Sequence, residues 1–148
     1  MPELVIAPAT RADLDAIHSI EDAAFPSPWR REFFESELAA DWRFNLVARR
    51  GGRVIGYLFS MWLLDEMHVN KIAVSEEERR RGIADALMER CFEFAREHGV
   101  TTIALEVRKS NDGAQDFYRH LGFAQAYVRQ RYYPDGEAAV IMTRAVRG

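Results

Sequence analysis

The sequence predicts a mixed α/β domain, mainly antiparallel, with one parallel strand pair around a long helix. Three observations carry this. Short β-branched or alternating apolar runs recur along the chain, separated by stretches with apolar residues at helical spacing. The pair Gly51-Gly52 divides two such runs as a hairpin turn would. A long helical stripe from Ile83 lies between two strand candidates, the connection that parallel neighbours require.

Taken in order, "LVIA" reads as a short strand. "TRADLDAIHSIEDAAF" reads as a helix, with Thr10 as N-cap, Asp13 three residues on, and Leu14, Ile17 and Ile20 on one face. In "PSPW", Ser27 caps a second helix with Pro28 at its first position, and that helix runs to about Leu38. "FNLVARRGGRVIGYLFSMW" is the hairpin, and "EMHVNKIAV" the next strand. The long helix carries Ile83, Leu87, Cys91 and Phe94, with Ala84, Met88, Phe92 and Ala95 beside them; it ends near His98, with Gly99 as its stop. "TTIALEV" is a strand. Ser110 or Asn111 caps a helix containing "AQDFYRHL", which Gly122 ends. "AQAYVRQRYY" and "AAVIMTRAV" close the chain as strands around a Pro134-Asp135-Gly136 turn. The order is β-α-α-β-β-β-α-β-α-β-β.

The 148 residues suit a single domain, 1–148, with one sizeable core. Apolar residues make up 48% and charged ones 29%, the mix of a soluble globular chain. A net charge of −3 argues against a general nucleic-acid binder while leaving room for local basic patches. One cysteine excludes an internal disulfide and fits a reducing compartment. No basic segment followed by an apolar run opens the chain, so no secretory signal is expected. The longest apolar stretch, "VIGYLFSMWLL", has 11 residues broken by Gly56 and Ser60, too few to span a bilayer.

One segment runs against local electrostatics. "EERRRGIADALM" puts Arg79, Arg80 and Arg81 where a helix begins. A helix N-terminus is partially positive, so acidic side chains are the stabilising choice there. Either these arginines are simply solvated, or an anion approaches from outside. The unit is strand, turn, glycine, helix. Such a helix start offers unpaired backbone N–H groups that suit phosphate, and Gly82 and Ala84 let a ligand come close. Neither G-x-x-x-x-G-K-[ST] nor a G-x-G-x-x-G after a strand is present.

Arg79-x-x-Gly82-x-Ala84 after "IAV", together with "LEVRKSNDGAQDFYRHLGF", resembles the motifs of the GNAT superfamily of N-acetyltransferases, and the likeness covers essentially the whole chain. "DE" at Asp65-Glu66, "LEVR", "SN" and "YYPDGEAAVIM" resemble the ribosomal-protein-alanine N-acetyltransferase (RimI-type) family. Arg79 stands where glutamine is frequent, and Ala84 where glycine is. The resemblance implies acetyl-CoA as cosubstrate, bound through the backbone of Ile72, Ala73 and Val74 and the turn Arg80, Arg81, Gly82, Ile83, Ala84 and Asp85, with Asn111 also touching it. It implies a splayed parallel strand pair whose opened edge pairs with the pantetheine arm. It also implies a cytoplasmic enzyme acting on the N-terminal alanine of a small-subunit ribosomal protein, ribosomal protein eighteen. The expected partner is that N-terminal segment. No metal, no membrane and no direct nucleic-acid binding are expected, and the chain is expected as a monomer or weak dimer.

In acetyl transfer a neutral amine attacks the thioester, and the departing thiolate gains a proton. An α-amine titrates at ~7.7–8.0 and lysine at ~10.4, so an N-terminus is the easier nucleophile. In "TIALEVR" alternation sets Ala104, Glu106 and Arg108 on one strand face. Two readings of Glu106 follow, an edge glutamate paired with Arg108 or a catalytic base; the resemblance implies the base. A carboxylate at its usual ~4.3 is weak for that task unless burial raises it or water relays the proton. Tyr118 shares an i, i+3, i+4, i+7 stripe with Ala114, Phe117 and Leu121, so it reads as core or as an acid; the resemblance implies the acid. Cys91 reads as core. His18, His68, His98 and His120 lack metal-ligand spacing, although His68 precedes the cofactor turn and is a candidate site lining. Trp29, Tyr132 and Tyr133 border the expected peptide site, and Asp65 and Glu66 are candidates to hold its cationic end. Other acceptors (a broader range of N-termini, lysine or a small amine) and a non-catalytic acyl-CoA-binding module are the alternatives.

Overall fold

The computed structural model describes residues 2–147. Seven strands form one sheet in the order β1-β2-β3-β4-β5-β7-β6. They are β1 (Leu4–Pro8), β2 (Arg43–Arg50), β3 (Arg53–Leu63), β4 (Glu66–Val74), β5 (Thr102–Arg108), β6 (Ala124–Arg129) and β7 (Ala139–Ala145). All neighbours are antiparallel except β4 and β5, the one parallel pair. The helices are α1 (Leu14–Ala24), α2 (Arg31–Ala39), α3 (Ile83–Glu97) and α4 (Asp112–His120). The element order is the one the sequence predicts, and α3 is the crossover that links the parallel strands. No helix among the described residues is long and apolar enough to cross a membrane.

Alternation along the strands builds two cores, one on each face of the sheet. On β2 and β3, Leu46, Ala48 and Leu58 pack with the α3 residues Ile83, Leu87, Met88, Cys91, Phe92 and Ala95. Val47, Tyr57 and Phe59 point the other way, onto Leu14 and Ile17 of α1 and Phe34 of α2. The sheet is therefore the middle of three layers. At Gly56 an added Cβ would lie 3.1 Å from the Ala73 carbonyl and 3.4 Å from Ile83, so the glycine allows the start of α3 to sit close against β3.

Three boundaries differ from expectation. Thr10 and Asp13 do close the first helix, with the Asp13 carboxylate accepting the Thr10 N–H at 2.8 Å, but residues 11–13 form a 3-10 turn before α1 begins. Ser27 and Pro28 do not start α2, which begins at Arg31. The Trp29 N–H is tied at 3.0 Å to the buried Glu21 carboxylate, and Arg30 is extended, so the chain turns helical only afterwards. The β6 strand stops at Arg129 instead of running to Tyr133, because Arg131 takes a left-handed backbone (φ 53) and leads into a loop.

Candidate active site

The parallel pair is short. Glu66–Val69 of β4 pair with Thr102–Leu105 of β5, and there the pairing ends. Beyond it β4 stays with β3, while Glu106, Val107 and Arg108 stay with β7. Lys71 opposes Phe59 and Val69 opposes Ser60, so Asn70 is one extra residue, a bulge that bends β4. A cleft of about 770 Å³ opens between the separated strands. Because the sheet is split here, groups from both of its faces line one space.

Past the cleft lining, which on β4 reaches Ile72, the strand ends at Val74 and the chain turns into α3. Arg80 (φ 63) and Gly82 (φ 76) both adopt the left-handed backbone. That conformation is natural for glycine but costs an arginine roughly 1–2 kcal/mol, the kind of local strain that marks functional turns. Gly82 is the N-cap of α3 and supplies no side-chain cap, and nothing lies within 4 Å of where its Cβ would be. The helix start is therefore open to an anion. Arg79 Nε donates to the Val74 carbonyl at 3.2 Å, and Arg81 sits 3.6 Å from Glu78. Arg80 is exposed and has no ion-pair partner among the described residues. Ile83 is buried, Ala84 partly so, and Asp85 is exposed in the first turn. Ile72, Ala73 and Val74 lie on the stretch of β4 that β5 has left. An uncapped helix start, a basic turn and an unpaired strand edge together fit a long anionic ligand with a peptide-like arm.

Across the opening stands Glu106, on the face expected from alternation. Arg108 is not its partner: Arg108 Nη1 instead bonds Asp135 at 2.8 Å and Glu137 at 2.9 Å. The Glu106 oxygens are held by His68 Nε2 on one side and by the Tyr132 hydroxyl, at 2.8 Å, on the other. His68 Nδ1 lies 2.5 Å from Asn70 Oδ1. Burial pushes the Glu106 carboxyl up, but the hydrogen bonds and charge of His68 and the Tyr132 bond outweigh it, leaving the group below the usual carboxylate range. Burial therefore does not make this carboxylate a stronger base, because its partners stabilise the ionised form. His68 moves the other way: burial disfavours its cation, yet Glu106 and Asn70 raise its pKa.

Tyr118 is buried against Phe117 and Phe123 on α4 and also lines the cleft. Burial raises its phenol, so the hydroxyl stays protonated. Tyr118 is therefore at once a core residue and part of the cleft wall. Asn111, rather than Ser110, caps α4, its Oδ1 accepting the Ala114 N–H at 3.1 Å, and it lines the cleft as well. Tyr132 and Tyr133 sit on the β6–β7 loop. Glu137 fixes that loop by accepting from Arg108 and, at 2.8 Å, from the Ser110 N–H, which holds its carboxyl down at about 2. The Arg108 guanidinium also covers the Tyr133 ring at 4.2 Å.

Sequence reasoning missed Lys71. Its ammonium lies 3.0 Å from fully buried Glu21 and 3.7 Å over the Phe25 ring, and Glu21 also accepts the Tyr57 hydroxyl. An isolated lysine in a strand pattern carries no signal of such a partner on a distant helix of the chain. Asp65 and Glu66 do not reach the cleft. They occupy the β3–β4 turn and the first position of β4, where the Asp65 carbonyl accepts the Thr101 N–H at 2.7 Å. Cys91 is core, its thiol pushed up to about 12 by burial.

Residues 14–123 match the model of the Acetyltransferase (GNAT) family. The [ribosomal protein bS18]-alanine N-acetyltransferase of Escherichia coli (strain K12) is 36% identical over 133 residues, 88% of this chain and 89% of that one. An N-alpha-acetyltransferase of Sulfurisphaera tokodaii is 34% identical over 147 residues, 90% of this chain and 88% of that one. The crystal structure of the Escherichia coli ribosomal-protein-S18-alanine N-acetyltransferase superposes with a TM-score of 0.91 at 33% identity, covering 99% of this chain and 96% of that chain.

Proposed function

We propose, since the chain belongs to the acetyltransferase (GNAT) family, that it acetylates the N-terminal alanine of ribosomal protein bS18. Acetyl-CoA-dependent N-acetyl transfer is its activity; the acceptor is the inferred part. The observation that supports the reading is the split between β4 and β5, whose cleft is lined by Ile72, Glu106, Asn111 and Tyr118.

In this reading Arg80, Arg81 and the N–H groups of Ile83, Ala84 and Asp85 hold the cosubstrate's pyrophosphate around Gly82. The β4 edge at Ile72, Ala73 and Val74 pairs with its amide-bearing arm, and Asn111 borders that arm. Acetyl-CoA supplies the thioester. Glu106 receives the proton of the incoming amine, and Tyr118 protonates the departing thiolate. The peptide enters past Trp29, Tyr132 and Tyr133, which line the mouth. Deprotonating an α-amine at ~7.7–8.0 rather than a lysine at ~10.4 saves more than two units of pH, so N-termini are the favoured acceptors. A broader N-terminal range is the second reading, favoured by the similarly related archaeal N-alpha-acetyltransferase.

Turnover with acetyl-CoA, read by mass spectrometry, tests this. The peptides differ only in their first residue, and one has a blocked N-terminus and an internal lysine. Peptides beginning with alanine, with the bS18 sequence foremost, are expected to react fastest and the blocked one not to react. Efficient lysine acetylation on the blocked peptide would overturn the reading.

A further inference from the structure

We propose that His68, Glu106 and Asn70 form a proton relay, in which Glu106 takes the proton of the incoming ammonium and His68 Nε2 holds it. The inference rests on N-terminal acetyl transfer in this cleft and adds where the proton goes.

Geometry fixes the direction. The Asn70 side-chain oxygen lies 2.5 Å from His68 Nδ1 and can only accept, so Nδ1 carries a hydrogen. In neutral His68 the bare nitrogen is then Nε2, and that atom faces Glu106. Tyr132 donates to the other Glu106 oxygen and holds the carboxylate in place. Asn70 is the bulge residue of β4, so the irregularity that opens the sheet also sets the histidine tautomer.

Proton affinity supplies the reason. Glu106, which His68 and Tyr132 hold below the usual carboxylate range, is by itself a poor match for an α-amine at ~7.7–8.0. An imidazole beside a carboxylate is far better matched, and its raised affinity favours receipt of the proton. The other charged and titratable groups around the pair are Arg108 on β5, Tyr132 and Tyr133 on the β6–β7 loop, Arg129 on β6, Lys71 on β4, and the Arg43–Glu37 ion pair on the cleft wall. Opposite His68, β3 presents Met61, which does not titrate. Tyr132 and Tyr133, both pushed up to about 12, stay neutral through the working range.

In the relay an ammonium N–H bond breaks and an O–H bond forms at Glu106; that proton then passes to Nε2. The neutral amine forms the C–N bond, the C–S bond breaks, and the second amine proton replaces the one Tyr118 gives to the thiolate. The products are the amide, the free thiol and the His68 imidazolium, which returns its proton to solvent. His68 thus acts through Glu106, as a positioning and proton-holding residue.

The test compares the pH profile of kcat/KM for wild type and His68→Gln, with an alanine-first peptide, and measures the His68 titration by 15N NMR in wild type and Glu106→Gln. The wild-type acid limb should coincide with the His68 titration. In His68→Gln the rate near neutrality should fall about 10²-fold, and the acid limb should move away from the His68 titration to that of the amine itself. Glu106→Gln should lower the His68 pKa. Acetyl-CoA affinity, by calorimetry, should not change; His68→Asn is the second variant should the glutamine not be accommodated. A wild-type profile in a folded His68 variant, or a His68 titration indifferent to Glu106→Gln, would overturn the relay. The NMR arm needs no acceptor, so it separates failure of the relay from failure of the proposed acceptor.

Discussion

Glu106 and Tyr118 approach the cleft from opposite faces of the sheet, and their environments push them to opposite tasks. Glu106 is ionised and held by two partners; Tyr118 is a phenol kept neutral by burial. Glu106→Gln keeps the shape and removes the proton acceptor. Its kcat should fall by ~10²–10⁴-fold near neutrality and recover at high pH, where the amine deprotonates unaided. Tyr118→Phe should lose a similar factor that raising the pH does not restore. Equal pH profiles with near wild-type kcat would assign both residues to packing. Because the folded pKa of Glu106 is depressed, the stability that its contacts contribute is fully present above the unfolded value of ~4.3 and is lost as pH falls through the folded one. For His68 the sign is reversed: its raised folded pKa gives stability below the unfolded value of ~6.5, lost as pH rises through the folded value.

At the scale of one element, three arginines stand just before the N-cap of α3, whose first turn carries Asp85. Of the three glutamates that precede the arginines, Glu78 lies 3.6 Å from Arg81 and beside Arg50, while Glu77 pairs with Arg53 at 2.7 Å. Arg80 and the open helix end remain for a ligand. Gly82→Asp tests this element alone. Aspartate tolerates the left-handed backbone better than most residues, at roughly 1–2 kcal/mol, and the site has room for a side chain. The variant should fold, with a slightly lower urea midpoint, and lose acetyl-CoA binding, because its carboxylate meets the pyrophosphate. Unchanged affinity in calorimetry would refute the anion site.

Across the whole molecule the two cores back different parts of the proposed site. The start of α3 packs into one core, and Trp29, which lines the cleft, packs against the other. Phe34 joins the second core to that cleft wall: it is fully buried, meets Tyr57 and Phe59 edge-on, and backs Trp29 at 5.1 Å between centroids. Phe34→Ala should cost about 3–5 kcal/mol in urea unfolding. It should raise KM for the peptide while leaving acetyl-CoA affinity nearly unchanged; equal loss of both would mean that the layers are not independent. Local pattern determined the element order, the hairpin at Gly51-Gly52, the α3 stripe and the strand face of Glu106, since each depends on residues close in sequence. The glycine turn into α3 was legible for the same reason: turn, glycine and helix start are contiguous. Only the tertiary structure decided that Glu106 pairs with His68 and Tyr132 instead of Arg108, that Lys71 meets Glu21, that α2 waits until Arg31, and that Asp65 and Glu66 fall outside the cleft. Those outcomes depend on which strand lies beside which and on where the Asn70 bulge parts β4 from β5. Pairing between distant segments leaves no period in the sequence from which to read it.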